Sequence, residues 1–411
     1  MLATTLVAVS GFSARAAGAQ GARCTWAQAS ELGTGAARGL ANDDVVVFKG
    51  RLYMSGMTSL GNEPVSYDGS RYRVLRDISA GRISSFPEFQ IATGSKVFFT
   101  ANVPGLGREL WASDGTRNGT KLVRQFTAGE GSTFFREFAR VGNQVYFTIQ
   151  RANGFQMWRT NGLARGTRLV RNFPITAQPQ NLVGLKGKVY FKSKTAALGS
   201  ELWVSNGTGK GTRPLIDLNP GSASSNATPI RAYRGRVYID AYAGAGRPTL
   251  WSTDGTRVGT RAVADLDPQQ RVSDPDIVDS TIMGGRLYLW VEDRIREGSS
   301  PRRTDLWITN GTQAGTRLVA NTNARDFLNR TARPQTVASK GWIFYQSDEA
   351  ASGREWHTVK PGASGGRTNI NPGSADASIA AATPVAYKGS VYVAATSAAT
   401  GNELWRLSCP A

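Results

Sequence analysis

Apolar positions in this chain fall in short runs rich in Val, Leu, Ile, Tyr and Phe, and each run is cut off by Gly, Asn, Asp or Ser. Short β-branched and aromatic runs between turn residues predict strands and disfavour a helical solenoid. One pattern recurs along the chain: a turn, a basic or polar residue, then an apolar–aromatic pair. It stands at 50–53, 95–98, 143–146, 187–190, 235–238, 285–288, 341–344 and 389–392, as in Gly187-Lys188-Val189-Tyr190 and Gly235-Arg236-Val237-Tyr238. About a dozen residues later comes a second marker, Leu-Trp followed by a turn. The offset from the aromatic to the tryptophan slot is 13 residues in five copies, with His357 filling one slot, and 12 in the first and third, where Val65 and Trp158 stand. Constant spacing between two markers defines one unit of about 45 to 50 residues, the size of a four-stranded propeller blade.

The pattern therefore predicts an all-β chain: an eight-bladed β-propeller of four-stranded antiparallel blades. In each unit strand a precedes the Gly turn (Ile230 to Tyr233), b follows it, c carries Leu-Trp, and d follows the second Gly-Thr (Thr212 to Leu218). Neighbours along c point to opposite faces, so Leu202 and Trp203 are both buried only if blades flank the sheet on both sides. Burying each tryptophan at such a seam contributes about 2–3 kcal/mol.

The second marker is long. Glu109-Leu110-Trp111-Ala112-Ser113-Asp114-Gly115-Thr116, closing with Gly119-Thr120, returns as Glu201-Leu202-Trp203-Val204-Ser205-Asn206-Gly207-Thr208 with Gly211-Thr212, and again at 250–260, 306–316 and 157–167. In these residues the chain resembles the ELWxxDGT repeat family of bacterial exported proteins, over nearly all of its length after the first residues. The resemblance implies a propeller fold and an exported location, and it supplies no ligand. The turn itself suggests a calcium loop or an Asp-box, but its third position is Asp114 and Asp254 in two copies and Asn161, Asn206 and Asn310 in three, which removes most of the charge a calcium ion needs. Asp and Asn share the ability to cap their own backbone in an Asx turn, so the motif reads as a tight c–d hairpin.

The eighth unit ends at Glu403-Leu404-Trp405-Arg406-Leu407-Ser408-Cys409 without a strand d, while Cys24 to Ser30 precedes the first unit as an orphan. The orphan is expected to complete the last blade and close the ring, with a Cys24–Cys409 disulfide in place of the missing hairpin. Leu2–Phe12 is apolar and Ala17-Gly18-Ala19 offers a cleavage site, so residues 1–19 read as a signal peptide and 20–411 as one propeller domain. Paired cysteines suit an extracellular or periplasmic compartment. No run of 18 apolar residues predicts a membrane-spanning helix.

One histidine and two cysteines make zinc sites, iron–sulfur clusters and most triad hydrolases improbable, and no metal ligands, cofactor or catalytic residues are assigned. The net charge of +19 favours anions. Lys121, Arg168, Arg213, Arg261 and Arg317 follow the second Gly-Thr and are placed on one rim with the a–b and c–d turns. Acids that open c (Glu63, Glu109, Glu201, Asp305, Glu355, Glu403) or end d (Asp77, Asp217, Asp265) are placed on the other. The sixth unit has six extra residues between b and c, and Arg294, Arg296, Arg302 and Arg303 in that loop are the candidate ligand contacts. These features are expected to make the chain a non-catalytic binding or surface-scaffold module. Its expected partners are anionic polysaccharide, an envelope component or another surface protein, with nucleic acid only as an extracellular polyanion. The alternative is a polysaccharide-active enzyme using Glu109 and Glu201. Gly362-Ala363-Ser364-Gly365-Gly366 matches a nucleophile-elbow pattern near His357, but it aligns with a c–d turn and not a strand-to-helix turn.

Overall fold

The computed structural model describes residues 24–30, 40, 44–243, 248–266, 275–293, 303–324, 336–349, 353–361, 366–368, 383–397 and 401–409. These form eight four-stranded antiparallel sheets. In blades 1 to 7 the strands of a sheet are consecutive in sequence. Blade 2 is typical: a Glu88–Ala92, b Val97–Val103, c Gly107–Ser113 and d Lys121–Arg124. Strands a of successive blades contact one another in an unbroken circuit from blade 1 through blade 8 and back to blade 1, so they form the inner wall and d lies outermost.

Each blade buries both faces, as a c strand with adjacent Leu and Trp requires. Leu110 packs with Phe147 and Trp158 of the next blade, while Trp111 packs with Phe48 and Tyr53 of the previous one. Eight such apolar clusters occupy the eight seams. Arg124 lies 5.1 Å over Trp158 and Arg171 5.4 Å over Trp203, so a guanidinium from the preceding blade covers each indole.

The c–d hairpin is an Asx turn. The Asp114 carboxylate accepts the Thr116 N–H and O–H at 2.9 and 2.7 Å, and Asn206 accepts the same pair from Thr208 at 3.1 and 2.8 Å. Both glycines are then fixed by sterics. Gly255 has φ +97°, and a Cβ on it would sit 2.1 Å from the Tyr190 hydroxyl of the preceding blade. A Cβ on Gly211 would meet Asn206 Oδ1 at 1.9 Å. Ser205 and Thr212 close the hairpin with a buried hydroxyl–hydroxyl bond of 2.7 Å.

Blade 8 consists of Val385–Tyr387, Ser390–Ser397 and Gly401–Ser408, and its fourth strand is Thr25–Ser30 from the other end of the chain. Thr25 pairs with Ser408, and Cys24 and Cys409 are joined in a disulfide. The seam to blade 1 is apolar like the others, and Tyr387 also donates its hydroxyl to Gly50 O at 2.7 Å. The expected ring closure is therefore present. The signal-peptide segment 1–19 lies outside the described residues.

The placement of the acids is corrected. Glu63, Glu109, Glu201 and Glu403 are buried and do not form a rim. Glu201 accepts hydrogen bonds from Leu218 N–H, Ser225 N–H and the Ser225 hydroxyl at 2.9, 2.7 and 2.6 Å. Glu63 holds Ile78 and Ser85 in the same way, and Glu109 holds Thr127 and Thr133. The physical reason is that the loop from d to the next blade's a must pass over the sheet, where its backbone donors leave water and need an acceptor. The glutamate of c provides it. Burial pushes all three carboxyls above the usual range, against the pull of the donated hydrogen bonds.

Candidate functional site

With those glutamates committed to loops, exposed chemistry lies elsewhere. Lys121, Arg168, Arg213, Arg261 and Arg317 are all exposed, and each immediately follows a Gly-Thr turn. Of the insertion-loop residues, Arg294, Arg296 and Arg302 lie outside the described residues, and Arg303 is described only as the first residue of strand c, Arg303–Thr309. Residues 362–365 also lie outside them, but c (Gly353–Val359) pairs directly with d (Gly366–Thr368), the hairpin that the sequence alignment implied.

His357 takes the tryptophan slot of blade 7, buried and stacked on Tyr345 at 5.4 Å, while Trp356 fills the leucine slot. Burial lowers the His357 pKa from 6.5 to about 4. The unfolded chain then binds more protons between those values, so this residue's contribution to stability is complete above pH 6.5 and is lost as pH falls toward 4. A His357→Phe variant should resist acid better than the parent by about 3 kcal/mol across that window, read from denaturant midpoints. Taking the difference between variants cancels the carboxyl contributions, and parallel curves would contradict the assignment.

The residues that the sequence reading missed are on strands a and b, the two strands of each blade nearest the axis. In blade 4 the apolar run Val189-Tyr190-Phe191 of strand b ends in Lys192, and in blade 5 Val237-Tyr238-Ile239 ends in Asp240. Each stands one place beyond the residue paired with the c-strand tryptophan, where blades 2 and 3 carry Thr100 and Thr148. A charge breaking an otherwise apolar strand was the available signal. Lys192 is half-buried and within electrostatic reach of Asp276, Asp240 and Glu137 on blades 6, 5 and 3. Among the described residues it makes no hydrogen bond or ion pair within 4 Å. Burial lowers its pKa, and the three acids oppose that shift. Burial raises the carboxyl of Glu137, countered by the backbone N–H groups of Leu182 and Asn181 and by Lys192. Asp240 accepts the Ile277 N–H at 3.0 Å.

Further round the axis the same mixture continues. Arg231 donates to Ser280 Oγ at 2.8 Å and to the Ser280 carbonyl, and Asp279 accepts the Thr336 hydroxyl at 2.9 Å. Arg108 bridges Glu88 at 3.3 Å and Thr100 Oγ1 at 3.1 Å. Strands a thus carry both signs of charge, Arg231 beside Glu88, Glu137, Asp276 and Asp279. Among the described residues no group of three metal-ligating side chains converges.

No family model matches the chain, and no curated protein matches it. Solved structures do. A prolyl endopeptidase structure, from a study of the role of inter-domain dynamics in catalysis and specificity, is 12% identical with a TM-score of 0.51, covering 80% of this chain and 49% of that one. The β-propeller domain of the Trilobed protease from Pyrococcus furiosus is 11% identical, TM-score 0.45, covering 80% and 97%. A puromycin-hydrolysing peptidase of Mycobacterium tuberculosis is 12% identical, TM-score 0.49, covering 90% and 60%. The chain spans about half the length of the prolyl endopeptidase it matches. The likeness is one of fold. The expectation of a stand-alone binding or surface-scaffold module is corrected: the match with a TM-score above 0.5 is a prolyl endopeptidase structure, of which this chain covers about half. The polysaccharide-active alternative falls on geometry, since Glu109 and Glu201 are buried under their own loops.

Proposed function

We propose that the chain is a peptidase-associated propeller, an exported ring that holds peptide at its inner wall while hydrolysis is performed by a partner domain. The observation that carries this reading is the half-buried Lys192 ammonium set among Glu137, Asp240 and Asp276. A peptide brings a cationic amino terminus, an anionic carboxyl terminus and a polar backbone. A wall with both signs of charge answers all three, whereas a polyanion would meet repulsion from the acids. The fold shared with a prolyl endopeptidase supports the association, and the disulfide suits an oxidising compartment.

Titration calorimetry with alanine tripeptide, in free and C-terminally amidated forms, tests the proposal. Free peptide should bind the parent, and Lys192→Met should weaken it about tenfold or more, the scale of one charge-assisted hydrogen bond. The amidated form should be nearly indifferent to the substitution. Absence of binding at millimolar peptide, or equal weakening of both forms, would overturn the reading.

A further inference from the structure

The outer wall carries a cleft that the inner-wall reading does not use. It runs along strand d of blade 4, Arg213–Ile216, and reaches the c–d turn of blade 5, with a volume of about 680 Å³. Pro214 and Ile216, both half-buried, contribute apolar lining, with Leu198 at one side. Lys188, Arg213 and Arg257 supply three exposed cations against the single carboxylate of Asp217. Strand d is the last strand of its sheet, and residues 213 to 216 all line the cleft.

The corresponding seam between blades 1 and 2, three blades away, repeats the charges without the apolar lining. Its cleft of about 400 Å³ is lined by Arg76, Arg117 and Lys121 with Asp77 and Asn118. Arg76 is oriented there by donating to the Thr120 carbonyl of blade 2 at 2.8 Å.

We infer that the blade 4–blade 5 cleft is a binding site for an extended acidic peptide segment. Strand d is short and carries Pro214, which has no N–H and whose carbonyl accepts from Arg213 at 3.2 Å, so recognition rests on side chains: the apolar lining takes alternate side chains and the cations meet carboxylates. A sulfated sugar chain satisfies only the last of these. The blade 1–blade 2 cleft provides the charge contacts alone and is the weaker site. This site goes beyond the proposed function and is independent of Lys192.

The probe is a fluorescent peptide of alternating Glu and Val, six residues long, acetylated and amidated so that it lacks the charged ends the inner wall is proposed to read. Anisotropy should show binding that weakens with salt. The double variant Lys188→Glu/Arg257→Glu should reduce affinity at least tenfold, and Arg117→Glu/Lys121→Glu by less. Arg165→Glu, an equally exposed turn residue outside both clefts, is the control for net charge, and all variants are checked for parental unfolding midpoints. The inference is overturned if Arg165→Glu has the same effect per charge as the cleft variants. It is overturned too if a sulfated disaccharide at equal charge competes as well as unlabelled peptide, or if an alternating Glu-Gly peptide binds equally.

Discussion

Replacing Cys24 and Cys409 together by serine lowers the unfolding free energy by as much as about 6 kcal/mol, the loop-closure entropy released when a 385-residue separation is no longer bridged. Few single features of the chain act over so long a loop. The effect works chiefly on the unfolded state, because the pairing of Thr25–Ser30 with Gly401–Ser408 can persist without the sulfurs. Guanidinium denaturation of the parent and the double variant measures it. A loss below about 1 kcal/mol would show that the two ends are held by the strand pairing alone.

Glu201→Ala is the point substitution expected to cost most, about 4 kcal/mol. It strands the N–H groups of Leu218 and Ser225 and the Ser225 hydroxyl in a buried site, each having donated to the carboxylate. Glu201→Gln keeps one acceptor oxygen and should recover part of the loss. Equilibrium unfolding of the two variants separates loop anchoring from mere volume. If alanine costs less than about 1 kcal/mol, the loop does not depend on this carboxylate.

The fold was legible because its determinants are local and repeated. Adjacent Leu and Trp on one strand demand two buried faces, and the Asx turn needs both glycines because a Cβ at Gly211 or Gly255 would collide with Asn206 or Tyr190. The ring closure followed from a count of strands. The role of the motif glutamate was not legible, since the sequence shows an acid beside an apolar pair but not the loop that later folds over it. The same holds for Lys192: its neighbours Glu137, Asp240 and Asp276 belong to three other blades, and only the closed ring brings them together. His357 could be placed by spacing alone, whereas its stacking on Tyr345 depends on the register of strands b and c in blade 7.

The most direct test of the closed ring is amide hydrogen exchange on the Thr25–Ser30 strand in the intact protein. Protection of those Thr25–Ser30 amides that bond to Gly401–Ser408, the segment's one partner strand in blade 8, far above the rate of an unstructured peptide is the predicted result. Exchange at the rate of an unstructured peptide while Gly401–Ser408 stays protected would contradict it, and with it the circuit of inner strands on which the peptide-holding wall depends.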